Sequence, residues 1–117
     1  MTKKQFLVKI ESSEINLNMI NPIIKIYGNI KSEQIKKMLS IQKDTLFFDD
    51  YRVLAHDEII NANTELHVPF TKKKIIPLID CGENDFIVYN VVKDNVCKFN
   101  IVDEAYFKER TSLTDIL

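Results

Sequence analysis

The apolar positions change their period along the chain, and the strongest β signal lies between Ile75 and Val102. Ile75-Ile76-Pro77-Leu78-Ile79 is a short apolar run that predicts a strand, and Asp80-Cys81-Gly82-Glu83-Asn84-Asp85 after it is rich in turn formers. Phe86 to Val92 is mostly β-branched and aromatic, which predicts a second strand. Lys93-Asp94-Asn95 predicts a three-residue turn, with Asn95 at positive φ. Val96 to Val102 alternates, placing Cys97, Phe99 and Ile101 on one face and Lys98 and Asn100 on the other. The stretch therefore predicts two consecutive hairpins. An isolated hairpin is marginal in water, so the rest of the chain has to cover them.

Upstream the pattern is mixed. Phe6, Val8 and Ile10 alternate, as do Ile15 and Leu17, so residues 5–20 read as a strand or extended arm, although Glu11 to Glu14 could equally open a helix. Asn21 suits an N-cap, Pro22 a first helical position and Gly28 a terminator, which predicts a short helix between them. Ser32 to Ser40 is a clearer helix, with Ile35, Met38 and Leu39 on one face and Lys36 and Lys37 on the other. Leu46-Phe47-Phe48 and Tyr51-Arg52-Val53-Leu54 predict two strands paired across Asp49-Asp50. His56 to Leu66 reads as one helix, Asp103 to Arg110 as a polar connector, and Ser112 to Leu117 as a short capped helix. No internal repeat or linker stands out. The expected fold is α+β: one domain, an antiparallel β-meander sheet packed against several short helices, with a helix at the C-terminus.

Composition narrows the function classes. At 117 residues, 45% apolar and 28% charged, the chain suits one globular domain. The net charge of -1 argues against direct nucleic-acid binding. No apolar run is long enough to span a membrane. Leu7 and Val8 end an apolar run too short for a secretory signal, so the expected compartment is the cytoplasm. Cys81 and Cys97 make neither a disulfide framework nor a metal-binding CxxC pair, and two reduced thiols are expected.

The candidate chemistry is sparse. His56, Asp57 and Glu58 are consecutive, and a general base needs a spatial partner and a pocket; a helix start explains them more simply. His67 stands alone. Cys81 lies beside a glycine turn, yet no histidine near it in sequence would activate the thiol. Two glycines exclude a phosphate loop. No catalytic set, cofactor site or metal site emerges, and the expectation is a protein that is not an enzyme. The acidic turns are the exception. Asp49 and Asp50 close one predicted hairpin, and Asp80, Glu83 and Asp85 sit in the tip of another; from Asp80 to Glu104 there are six acids against two lysines. Solvated loop tips account for such residues. A surface complementary to a basic partner is the sharper reading, and calcium a third, although the acids lack the EF-hand pattern. Lys72-Lys73-Lys74 reads as a solvated strand edge.

The order of these pieces resembles the SUKH superfamily, which includes the fungal Smi/Knr cell-wall regulators and many bacterial immunity proteins. The matching segments are Ile26-Tyr27-Gly28; the helix from Ser32 to Leu39; Arg52 to Ile60 as a strand running into a helix; Ile76 to Tyr89; Asn95 to Phe99; and the terminal Thr111 to Leu117. Ile41 to Thr45 lacks the glycine-rich turn common in the family, tryptophan is absent, and Ile30-Lys31-Ser32 stands where the family has a proline. The resemblance implies a non-catalytic immunity protein that neutralises a cognate toxin domain, often a basic nuclease or deaminase. A scaffold or regulatory domain like the fungal members is the alternative. Under the first reading Asp49, Asp50, Asp80, Glu83 and Asp85 are the candidate partner-binding residues.

Overall fold

A computed structural model describes residues 1–117. The chain enters as a helix, not as the strand or extended arm expected over residues 5–20. Helix α1 runs Lys3–Glu11 and begins in a capping box: the Thr2 hydroxyl accepts from the Gln5 N–H, and the Gln5 side chain accepts from the Thr2 N–H. Phe6 and Ile10 fit both periods, since positions four apart share a face in a helix and in a strand. Val8 decides between them. It is 58% exposed while Phe6 and Ile10 are buried, which only the helical period gives.

Helix α2, Leu17–Tyr27, starts earlier than the expected Asn21 cap, because Asn16 takes that role by accepting from the Met19 N–H. Pro22 therefore lies inside the helix, tolerated on its exposed side. Gly28 ends α2 at φ +116, as expected, and its N–H reaches the Ile24 carbonyl at 2.8 Å. Helix α3, Glu33–Leu39, is capped by Ser32 and buries Ile35, Met38 and Leu39, as the sequence predicts. The single helix expected over 56–66 divides at Asn61 into α4, His56–Ile60, and α5, Ala62–Leu66. One further turn, α6, Phe70–Lys73, leads into the sheet, and α7, Leu113–Ile116, closes the chain. The Gln34 side chain accepts from the Leu113 N–H at 2.8 Å and ties α7 to α3.

Six strands form one antiparallel sheet in sequence order: β1 Leu46–Phe48, β2 Tyr51–Val53, β3 Ile75–Gly82, β4 Asp85–Asn90, β5 Asn95–Asn100 and β6 Ala105–Arg110. The expected connector at 103–110 is thus mostly strand. All six β6 residues are exposed, so it carries no alternation of buried and exposed positions to betray it. The turns also correct the sequence reading. Only Glu83 and Asn84 join β3 to β4, both at positive φ, a primed hairpin turn. Four residues, Val91 to Asp94, join β4 to β5, and Asp94 rather than Asn95 has positive φ. Asn90 accepts from the N–H groups of Val92 and Lys93, and Asn100 repeats the device with Val102 and Asp103. Ile101 therefore belongs to a turn and not to the face shared by Cys97 and Phe99.

Register divides the sheet into two faces. Phe47, Arg52, Asp80, Phe86, Phe99 and Tyr106 are successive cross-strand partners on one; Leu46, Val53, Ile79, Ile87, Lys98 and Phe107 are partners on the other. On the first face Phe70 of α6 meets Phe99 edge-on, with ring centres 5.9 Å apart. Phe48 points to the second face, where Phe6 of α1 stacks on it at 4.2 Å. Helices thus pack on both faces of the sheet, the central strands are buried on both, and one cluster of 29 buried residues runs through the domain.

Two phenylalanines in one cross-strand row test this layering. Phe99 is fully buried and Phe47 is 62% exposed. Phe99→Ala is expected to cost about 3–5 kcal/mol, and Phe47→Ala no more than about 0.5 kcal/mol. Equal shifts of the two urea midpoints would contradict the layering.

Candidate functional site at the acidic end of the sheet

A meander sends alternate turns to opposite ends of its sheet. The β1–β2, β3–β4 and β5–β6 turns therefore share one end, and the acids concentrate there. The Arg52–Asp80 register sets the first turn beside the second. The Ile101 N–H donates to the Asn84 carbonyl at 3.0 Å, and the Asn100 amide donates to the Asp85 carboxylate at 2.9 Å, joining the second turn to the third.

The five candidate carboxylates all lie at this end, but they do different work. Asp49 accepts from the Lys3 N–H at 3.1 Å, and its own N–H reaches the Met1 carbonyl, so it anchors the start of α1. Asp80 is half-buried, accepts from the Gly82 N–H and pairs with the Arg52 guanidinium at 3.4 Å. Asp85 is taken up by Asn100. Asp50 and Glu83 are exposed, and neither belongs to an ion pair. Two further acids counted in the acidic stretch, Asp103 and Glu104, join the five at this end, because the expected connector is in fact the β5–β6 turn and β6. Asp103 is exposed, and Glu104 pairs with Lys73 at 3.3 Å. Recognising the second Asn-capped turn would have placed them.

Behind the acidic end, Arg52 is shared between Glu58 of α4, at 2.7 Å, and Asp80 of β3. Hydrogen bonding to Glu58 raises the Arg52 pKa further. Burial pushes the Glu58 carboxyl up, but Arg52 and the Ala55 N–H outweigh it and hold the group below its usual range. Glu58 thereby caps its own helix, accepting from Ala55 at 3.0 Å. The helix-start reading of His56 to Glu58 holds: His56 is the first residue of α4 and is only 7% exposed.

Asp49, Asp50, Tyr51, Cys81, Lys3 and Leu117 line a shallow concavity of about 640 Å³. Cys81 lies in β3 itself, half-buried, and burial raises its thiol to about 11, so it is no thiolate nucleophile at neutral pH. Both cysteines are free thiols. No three histidine, cysteine or acidic side chains converge as a metal-ligand set, the calcium reading of the acidic turn included. The arrangement presents exposed negative charge at the turn tips of a six-stranded sheet. No helix is long and apolar enough to cross a membrane. No family model, curated protein or solved structure gives a significant match to the chain.

Two substitutions probe this region. Glu83 occupies a left-handed position that costs a side chain of its kind about 1–2 kcal/mol and that Asn adopts more easily. Glu83→Asn is expected to raise stability by about 0.5–1 kcal/mol in urea titration; a loss would contradict the turn geometry.

His56 sets a pH limit. Burial holds its imidazole below the ordinary value of 6.5, although the Leu39 carbonyl favours the charged form, and its buried Nε2 has no hydrogen-bond partner. The unfolded chain takes up this proton at a higher pH than the folded one. Stability is therefore complete above the unfolded value and falls as pH drops below it towards the folded value. His56→Leu should flatten the stability curve between about pH 7 and 5. An unchanged slope in that variant would show that the buried imidazole is not responsible.

Proposed function

We propose that this chain is a non-catalytic immunity protein that acts in the cytoplasm and neutralises a basic toxin domain, and that the acidic end of its sheet forms the contact. The SUKH resemblance supports the class of function. The observation that carries the choice of surface is the pair of unengaged carboxylates, Asp50 and Glu83, on adjacent turns of a sheet braced from both sides. Asp49, Asp80 and Asp85 shape and support that surface through their internal bonds. Nuclease and deaminase toxins present basic substrate sites, and an acidic face attracts them and competes with the nucleic acid. Turn residues on such a sheet can change partner without disturbing the core.

The first test is genetic: a modular toxin encoded beside this chain, with its toxic domain silenced by co-expression. The second tests the surface. Asp50→Lys combined with Glu83→Lys leaves every internal bond in place. It should slow association with the toxin domain at low salt by roughly tenfold or more and abolish rescue, with folding intact. Association of the native chain should weaken as salt rises, since exposed charges are screened beyond about 10 Å at 0.1 M. Full rescue by the folded double variant, at an unchanged association rate, would remove the acidic end from the mechanism.

A further inference from the structure

The two edges of the sheet are finished differently. β1 is three residues long, and the Asp49 N–H at its end is bonded to the Met1 carbonyl. β6 is twice as long, exposed at every residue, and no other strand pairs with its outer side. Tyr106 and Phe107 lie on opposite faces of it, 44% and 41% exposed. Unpaired backbone groups flanked by apolar rings are a template for another strand.

The charge along this edge has a direction. Asp103 and Glu104 precede the strand, and Lys108, Glu109 and Arg110 end it. Glu104 is held by Lys73 and Glu109 by Lys93. The charges left without an ion pair are Asp103 at the start and Lys108 and Arg110 at the end. We propose that two copies of this chain pair through β6, antiparallel about a two-fold axis near Tyr106 and Phe107. That symmetry sets Asp103 of each copy beside Lys108 and Arg110 of the other, so the attraction occurs twice, whereas a parallel arrangement opposes like charges. Lys108, at φ +57, sits at a break in the β5–β6 register. This bulge confines regular pairing to the strip from Ala105 to Phe107, which makes the dimer weak and reversible. The short, anchored β1 edge offers no second site, so association stops at two.

The test is sedimentation of the whole chain at low salt over roughly 10 μM to 1 mM, the range in which a small interface associates. The native chain should pass from monomer to dimer. Asp103→Lys, which makes the edge wholly basic, should remain monomeric, as should the acidic variant Lys108→Asp with Arg110→Glu. An equimolar mixture of the two should recover the dimer, since each basic position then meets an acidic one. All substituted residues are exposed, and circular dichroism checks that each variant is folded. A native chain that stays monomeric throughout overturns the proposal. So does a dimer that persists in either variant alone, or a mixture that fails to pair. None of these measurements involves a toxin, so their outcome is independent of the proposed function.

Discussion

The central strands are apolar on both faces, and most of the architecture follows from covering them. Ile76, Leu78, Ile79, Ile87, Val88 and Tyr89 are all at most 1% exposed. A sheet with one wet face would have needed helices on one side only. Helices accordingly pack on both faces of the sheet: Phe6 of α1 stacks on Phe48 of the edge strand β1 on one, and Phe70 of α6 meets Phe99 of β5 on the other. Burying tyrosines adds a second demand, because a buried hydroxyl needs a partner. The Tyr27 hydroxyl donates to the Ile59 carbonyl at 2.6 Å and locks α2 to α4. The Tyr89 hydroxyl donates to Asp94 and accepts from the Lys31 N–H, fixing the β4–β5 turn against the approach to α3. Burial raises the Tyr89 phenol to about 12, so it stays a donor throughout the physiological range.

Electrostatics enters where the helices meet the sheet. The Arg52 pairs are about a third exposed and worth on the order of 1 kcal/mol or less each, too little to hold the fold. Their effect is positional. Arg52 comes from β2, Glu58 from α4 and Asp80 from β3, so one guanidinium fixes the helix after β2 against the strand that follows it. The same pairing withdraws the Asp80 charge from the surface. The acidity at that end of the sheet is therefore smaller than the sequence suggests, and it is concentrated at the turn tips.

The sequence made the three-strand meander legible because β3 to β5 bury enough apolar residues to show as runs. It made α3 and α7 legible because serine caps and apolar spacing agree there. Residues 5–20 failed for a definite reason. Phe6 and Ile10 satisfy two periods at once, and the discriminating signal is the capping box between Thr2 and Gln5, which straddles the start of that stretch. β6 failed because a fully exposed edge strand leaves no burial pattern, and only its hairpin with β5 gives it form. The five candidate acids stand out in the sequence by their place in predicted turns, and they do share one end of the sheet. Turn position does not tell which are committed, because the partners of Asp49, Asp80 and Asp85 are Lys3, Arg52 and Asn100, between 15 and 46 residues away along the chain.

The backbone at the acidic end separates residues that serve the fold from those that do not. Asp49, Glu83, Asn84 and Glu104 all take left-handed conformations there, where Gly or Asn is the easier choice. At the opposite end Asp94 does the same, but its carboxylate accepts from the buried Tyr89 hydroxyl, which offsets the strain. Asp49 has a comparable return in the start of α1, and Glu104 a smaller one in Lys73. Glu83 has no ion-pair partner. It holds an exposed negative charge at a strained position, next to a glycine and an asparagine that show what the turn itself requires. Nothing inside the fold offsets the strain at Glu83, which is why an easier residue there is expected to stabilise the turn. Under the proposed function, Glu83 is therefore the acid at this end of the sheet whose replacement disturbs the fold least and the contact most.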